Sequence, residues 1–447
     1  MIVARVRALR RLTIAALGVG VIRCSSRDAP GQTGVNPHPI VLVRPAAAPL
    51  SPIARLGREI FFDPALSGSG TMACASCHDP AHAYGPPNDR AVQLGGRTRR
   101  DEGTRVVPSL RYLDRVPPFG IGAENEAAEN SNAATLAMHV TTGIRTPKAA
   151  GSAAGVALVP RGGLFWDGRA STLEAQAAIP LFNHAEMAGG SVASVAAHLR
   201  RAPYITELRR AFGAGAIATS QRLIDEALFA VTRFEIEDPS FHPYSSKYDA
   251  YLEGRAFLTP TEARGLSAFE DSTKGNCAAC HLDRPGANGE PPLFTDFEYE
   301  ALGVPRNESL AANRNPGYFD LGLCGPARSD LVTATGYCGM FRTPSLRNVA
   351  TRKVFFHNGV YRSLAEVLRF YDLRGPTPNA IYRRDTVGVA QSNDIPAALR
   401  GNIDTIDAPF NHRIGSRPAM TEGEMRDIIA FLGTLTDGYQ VPPLRPR

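Results

Sequence analysis

Two short segments constrain this chain more than anything else in it. They are Cys74, Ala75, Ser76, Cys77, His78 and, about two hundred residues on, Cys277, Ala278, Ala279, Cys280, His281. Both fit Cys-x-x-Cys-His, the attachment sequence of c-type haem. Two thiols one helical turn apart add across the two vinyl groups of a haem, and the adjacent imidazole meets the iron from the same side. A four-cysteine zinc site fits less well, because the pairs lie far apart and each is followed by His. A redox dithiol would need a βαβ context that neither copy has, and would not explain two copies. The spacing therefore predicts two covalent haems, held by Cys74, Cys77, Cys277 and Cys280, with His78 and His281 as iron ligands. Seven cysteines in 447 residues are too few for a disulfide scaffold. Of the other three, Cys324 and Cys338 share a Gly/Pro-rich loop and are expected as a disulfide in an oxidising compartment, which leaves Cys24.

Residues 1–23 place Arg5, Arg7, Arg10 and Arg11 ahead of an apolar stretch from Leu12 to Ile22, with no acidic residue. That is the layout of a bacterial export signal. Export to the periplasm agrees with the haem motifs, since covalent attachment takes place on an exported, still unfolded chain. The same requirement favours general secretion over the twin-arginine route hinted at by Arg10 and Arg11. Cys24 follows as in a lipoprotein, but Arg23 stands where lipoprotein cleavage wants a small residue, so a membrane anchor is implied only if Cys24 is lipidated. The segment also explains the charge. It holds five of the 49 basic residues, so the formal +6 falls to 44 basic against 43 acidic groups, and the basis for a nucleic-acid partner disappears. Residues 24–50, rich in proline, alanine and glycine, read as a mobile tether. No apolar run beyond the signal approaches the ~20 residues of a membrane span.

Past the tether the chain reads as mainly α: two cytochrome c-like haem domains with long irregular loops, residues 51–250 forming the N-terminal one and 251–440 the C-terminal one. Ser51 and Pro52 open a helix in which Leu56, Ile60 and Phe61 share a face. Further helices are predicted at 172–182, 191–201, 219–234, 260–270, 363–371 and 421–435. Ser171 with Glu174, Ser363 with Glu366 and Thr421 with Glu424 fit the capping box. Residues 120–163 and 283–335 read as loops long enough to be functional or wrapped around a cofactor. Pro-Ser-Leu-Arg occurs at 108–111 and again at 344–347, each time after a haem motif, which suggests two related halves.

With both motifs placed, the chain resembles the bacterial di-haem cytochrome c peroxidases and MauG, the methylamine-utilisation di-haem enzyme, over about residues 51–440. The resemblance is carried by Leu56 to Asp63 (LGREIFFD), Phe165 to Arg169 (FWDGR) and Arg342 to Asn348 (RTPSLRN). It implies that the first haem reacts with hydrogen peroxide, that the second exchanges electrons with a partner, and that Trp166, the single tryptophan, lies between them. Gln176, Pro180 and Glu186 follow Trp166 at the family's spacing for distal-pocket residues, and Glu186 matches its acid/base. Splitting an O–O bond needs a fixed proton shuttle, which suits a part-buried glutamate; His184 is the competing candidate. The family's aromatic-His-Asx-Gly motif reads Phe356 to Gly359 here, and Tyr371 stands where the peroxidases carry a Met ligand to the second iron and MauG a Tyr. The resemblance thus implies Tyr371 as ligand, with Met340 as fallback. Val367, Phe370 and Tyr371 also share a helix face, which would suit a core aromatic instead. A phenolate stabilises oxidised iron where Met raises the potential, so Tyr371 tilts the chemistry towards MauG.

Three departures from the family stand out. The stretch Arg90 to Gly96 has no His to block the first haem, and His82 is too close to His78 to reach the opposite face, so an open, five-coordinate first haem is expected. The positions that serve an inter-haem calcium read Val106, Arg352 and Val354, which argues against calcium and for a guanidinium in its place. The 120–163 insertion has no assigned role. In the leading reading the chain removes hydrogen peroxide with electrons from a small cytochrome c or copper protein. In a second it oxidises a side chain of a protein substrate, as MauG does, with tyrosines replacing the exposed tryptophan that this chain lacks. In a third both irons are six-coordinate and the chain is a non-catalytic electron-transfer cytochrome.

Overall fold

The computed structural model describes residues 34–123, 152–153, 156–382, 384–385, 388–389 and 394–442; the predicted export signal and Cys24 lie outside them. Its helices are α1 (Pro52–Phe61), α2 (Leu173–Phe182), α3 (Val192–Leu199), α4 (Ile205–Phe212), α5 (Ser220–Glu237), α6 (Lys247–Leu252), α7 (Pro260–Glu270), α8 (Leu364–Leu373), α9 (Pro378–Ile381) and α10 (Glu422–Gly433). The helices expected from sequence are present within a few residues; α4, α6 and α9 were not expected. Two helix crossings organise the cores, α1 over α5 and α7 over α10, and each passes over a glycine. A Cβ on Gly57 would stand 1.8 Å from the Ala230 carbonyl oxygen, and one on Gly265 1.9 Å from that of Asp427. No side chain fits at either crossing, so the backbones touch. Phe61, Phe234 and Phe241 pack edge-to-face around the first pair with Leu199 and Leu223. Phe269, Phe294 and Phe431 do the same around the second, with Leu266 and Ile428. Burying each such side chain is worth about 1.5–3 kcal/mol, and these two clusters supply the apolar driving force of the halves.

The Pro-Ser-Leu-Arg repeat does the same work twice. Ser109 Oγ donates to the Ala83 carbonyl (2.5 Å) and accepts from the Arg111 N–H (3.0 Å), while Arg111 Nε donates to the Ser240 carbonyl (3.1 Å). Ser345 Oγ donates to the Leu293 carbonyl (2.6 Å) and accepts from the Arg347 N–H (3.2 Å), while Arg347 Nε donates to the Pro292 carbonyl (2.7 Å). Arg347 is then neutralised by Asp249 at 2.6 Å, both side chains about 1% exposed. Each repeat is thereby bolted to the segment that follows a Cys-x-x-Cys-His motif.

Four details differ from the sequence reading. The N-cap of α2 is Thr172, accepting from Ala175, rather than Ser171 with Glu174. Ser363 caps α8, but Glu366 turns its carboxylate to the Arg362 N–H and the Ser363 hydroxyl, so that box is half made. Thr421 with Glu424 is a full box, as are the unforeseen Ser246 with Asp249 and Thr259 with Glu262. The 120–163 stretch is not all loop, because its ends pair as antiparallel strands, Gly120–Ala123 against Val156–Arg161. The described part of the supposed tether, residues 34–50, is held in place: Arg44 pairs with Glu253, Asn36 donates to the Leu252 carbonyl, and the Val43 N–H donates to Gly289. Its prolines serve an extended strap rather than a free linker. The 283–335 region is largely irregular and is closed by the Cys324–Cys338 disulfide.

Candidate active site

Both Cys-x-x-Cys-His motifs fold as a single 3-10 turn, Cys74–Ser76 and Cys277–Ala279, with the His N–H returning to the first cysteine's carbonyl at 3.0 and 2.8 Å. That turn brings the two thiols and the imidazole to one side. Each imidazole is then oriented alike. His78 Nδ1 donates to the Tyr84 carbonyl (3.0 Å) and His281 Nδ1 to that of Phe294 (2.9 Å), the acceptor fixing the tautomer and leaving Nε2 free to coordinate. Tyr84 and Phe294 both adopt positive φ, 54° and 56°, to aim those carbonyls. Burial lowers both imidazoles to about 4, so they stay neutral, the form that ligates iron. Burial pushes the thiols up, Cys74 and Cys277 to about 12 and Cys77 to about 11, the last helped by the Glu186 carboxylate.

The second motif faces a cavity of about 970 Å³ bordered by Cys277, Cys280, His281, Trp166 and Tyr371. Phe370 turns into the core with no exposure, whereas its neighbour Tyr371 borders the cavity and stacks on Phe410 at 5.3 Å. Burial raises the Tyr371 phenol, followed by the charges of Cys280 and Cys277. Met340 lies 1% exposed among Tyr299, Leu323 and Tyr337 and is not part of the cavity wall, so the fallback ligand is misplaced for that role. Trp166 is held by two hydrogen bonds, and one of its partners is fixed in turn. Its indole N–H donates to the Val106 carbonyl (2.8 Å), its own carbonyl accepts from the Arg342 N–H (2.9 Å), and the Val106 N–H donates to the His357 carbonyl (2.7 Å). Beneath it Asp167 is fully buried between Arg105 (2.7 Å) and Arg169 (2.8 Å).

What the cavity leaves unpaired tests whether a haem fits it. Arg342 Nε, Arg352 Nη1 and His357 Nε2 are buried without a hydrogen-bond partner, and all three residues border the cavity. Among the described residues neither guanidinium is ion-paired; burial lowers both, Arg352 to about 10. An unmatched buried cation costs several kcal/mol. A haem brings two propionate carboxylates, which is the charge these arginines lack. The thiol pair, the ready imidazole and the unmatched cations therefore fit a covalent haem. Val106, Arg352 and Val354, the positions compared with a calcium site, all border this cavity, and Arg352 donates to the Val107 carbonyl at 2.6 Å.

On the first motif's side stands α2. Pro180 lies inside it, and lacking an N–H it releases the Gln176 carbonyl from the helical ladder. The Gln176 side chain is buried at 7% exposure. After the helix the chain folds back on Asn183, whose Nδ2 donates to Glu186 Oε1 at 2.7 Å. The Gly96 N–H donates to the Glu186 carbonyl (2.7 Å), which ties this turn to the segment after the first motif. Burial raises the Glu186 carboxyl, opposed by the charge of Arg169 and the Asn183 hydrogen bond. His184 points to solvent, so Glu186 and not His184 reaches the thiol region of the first motif. His82 is exposed and pairs with Asp79 at 2.8 Å. Neither Asn183 as a partner for Glu186 nor the buried Glu235 on α5 carries a signal in the sequence. Arg342 is visible in sequence only as the first residue of RTPSLRN.

A profile of the family described as di-haem cytochrome c peroxidase matches residues 51–256. The methylamine utilization protein MauG of Paracoccus denitrificans is 32% identical over 399 residues, covering 88% of this chain and 90% of that protein. The cytochrome c551 peroxidase of Nitrosomonas europaea is 25% identical over 332 residues, covering 74% and 75%. Among solved structures, the diheme peroxidase BthA of Burkholderia thailandensis superposes with a TM-score of 0.73 at 35% identity, over 91% of this chain and 94% of that one. With two haem-attachment turns, a mainly helical fold and relatives matched over nearly their full length, the chain belongs to the di-haem cytochrome c peroxidase and MauG family, whose members carry two c-type haems.

Proposed function

We propose that the chain is an exported, periplasmic di-haem peroxidase built as two cytochrome c-like domains, reducing hydrogen peroxide at the first haem with electrons passed through the second. The observation that carries this is the placement of Glu186: part-buried, fixed by Asn183, and close enough to Cys77 to raise its thiol, while His184 faces water. A haem held by Cys74, Cys77 and His78 would supply the iron chemistry for splitting the O–O bond, and one held by Cys277, Cys280 and His281 would store electrons. Glu186 takes a proton from one peroxide oxygen and delivers it to the other, which leaves as water. Asn183 occupies Oε1, so Oε2 is the atom that moves the proton. Gln176 and Pro180 shape the wall on the same side, and Trp166, clamped by Val106 and Arg342, stands on the electron path between the motifs. A small cytochrome c or copper protein is the electron donor.

Tyr371 on the cavity wall favours a second reading, MauG-like oxidation of a protein side chain, because a phenolate ligand resists reduction by a high-potential donor. Stopped-flow mixing of the haem-loaded ferric protein with peroxide, with and without reduced cytochrome c, separates the readings. Fast reaction and rapid oxidation of the donor are expected for the peroxidase. Fast reaction without donor oxidation selects the MauG-like reading. No high-spin signal in the paramagnetic spectrum and no reaction with peroxide would leave only an electron carrier.

A further inference from the structure

Two-electron reduction of hydrogen peroxide to two waters consumes two protons, and Glu186 only relocates the proton that the peroxide itself brings. The remaining protons come from solvent and need a second carrier. On α5, one turn apart and hence on one face, Thr232 and Glu235 are 4% and 5% exposed. Thr232 Oγ1 and Glu235 Oε2 make no hydrogen bond. Leaving two neighbouring polar atoms buried and unsatisfied is a standing cost that a packing role does not explain. Their surroundings indicate what they face. Cys74 packs against the apolar cluster that includes Val231 and Phe234 of α5, and after burial the Glu235 carboxylate is the strongest influence raising its thiol, so Glu235 lies near the first attachment turn. Glu174, half-buried near the start of α2, acts on Glu235 in turn. Among the described residues Glu174 is the one titratable group that acts on this carboxyl, and no cation offsets it. Burial and Glu174 push Glu235 to about 8, so it holds a proton at neutral pH and exchanges it within reach of neutrality.

We propose that Glu235, beside Thr232 on α5 and fed from solvent through Glu174, is a second proton-carrying residue of the first haem site, supplying the protons that peroxide reduction consumes. The inference rests on the peroxidase reading. In the balanced step, HOOH takes two electrons from the donor through the haems and two protons by way of Glu235, giving two waters, and Glu174 reprotonates Glu235 from solvent.

The test uses the haem-loaded full chain with hydrogen peroxide and reduced cytochrome c, comparing wild type with Glu235→Gln. Wild-type turnover is expected to fall as pH rises through the Glu235 titration. Glu235→Gln should lower turnover at neutral pH about tenfold or more and abolish that alkaline limb. In the infrared difference spectrum between neutral and alkaline ferric protein, which reads no activity, the variant should lose one protonated-carboxyl band. Unchanged turnover with the alkaline limb intact, or an unchanged carboxyl band, overturns the proposal. If Glu235→Gln fails to load haem, Thr232→Val leaves the carboxyl in place: a shifted alkaline limb supports the relay and an unmoved one overturns it. Wild type that does not react with peroxide would defeat the parent reading instead, a result distinct from a silent Glu235→Gln.

Discussion

Glu186→Gln isolates the proton shuttle from everything else that Glu186 does. The amide keeps the length of the side chain, and its carbonyl oxygen still accepts from Asn183 Nδ2, the 2.7 Å contact that fixes the turn. The Gly96 N–H still meets the residue 186 carbonyl, which the substitution does not touch. What is lost is a group that takes up and releases a proton, a contribution of about 10²–10⁴ in rate. At 1.36 kcal/mol per tenfold, that is about 2.7–5.4 kcal/mol on the barrier. The expected outcome in stopped-flow mixing with peroxide is therefore a first phase slowed at least about 10²-fold, with both haem absorption bands at wild-type intensity. The pH dependence carries a sign as well. Glu186 must be ionised to take the proton, and burial raises its carboxyl above the usual range. The wild-type rate should thus fall as pH is lowered through that raised value, and the variant should show no such limb. A variant that reacts at the wild-type rate, or keeps the acid limb, would show that the proton moves through another group and would refute the assignment.

Tyr371→Met should raise the reduction potential of the second haem and change its ligand-field absorption, read by redox titration; an unmoved potential would mean the phenol does not reach the iron. Arg347→Met removes one half of an ion pair with both partners about 1% exposed, leaving Asp249 uncompensated, and should cost about 3–5 kcal/mol in denaturant unfolding of the C-terminal half; a loss below about 1 kcal/mol, the value of a surface pair, would show that water reaches the site. Opening the Cys324–Cys338 bridge, whose partners are 14 residues apart, by a double Ser substitution should lower stability by about 3 kcal/mol while leaving both haems attached; haem loss would place that loop in the cofactor's support. Asn183→Ala keeps the Glu186 carboxylate but frees it, so peroxide reaction should slow less than in Glu186→Gln, with the acid limb still present.

The sequence exposed residues that act through covalent chemistry or through local caps, and hid those that act through distant partners. The haem motifs were legible because thiol spacing and the following His are local requirements, satisfied within one turn. α1 and α10 were legible because a capping residue announces each of them. By contrast α6 is six residues long, too short for a periodic face to register. The strap at 34–50 reads as a linker because its composition is that of one; contacts with partners about 200 residues or more away, among them Leu252, Glu253 and Gly289, hold it. Ser171 reads as a cap because Glu174 stands at box spacing, yet the backbone enters the helix one residue later and Thr172 supplies the oxygen. Within the candidate site, Glu186 was reached through a family spacing, but Glu235 had no signal. An acidic residue on a helix reads as solvated until its neighbours on α2 and the first motif are known.

The arginines show how a fold separates structural charge from charge kept for a ligand. Arg105 and Arg347 are buried, and each is matched: Arg105 by Asp167 and Asp320 at 2.7 Å, Arg347 by Asp249. Those pairs raise both guanidiniums and fasten FWDGR and the second Pro-Ser-Leu-Arg in place. Arg342 and Arg352 are comparably desolvated, yet each keeps a buried nitrogen without a partner, and burial lowers them instead. The two kinds of arginine have the same side chain and similar depth; only the presence of a carboxylate differs. Because an unmatched cation is costly to bury, a chain that keeps two of them on the border of one cavity would be stabilised by a dianionic ligand there. The second attachment motif and these unmatched cations lie on different segments, 277–281 against 342 and 352, and haem propionates would offer the cations partners. A bound haem would therefore supply the carboxylates that this cavity, also bordered by Trp166 and Tyr371, leaves unmatched.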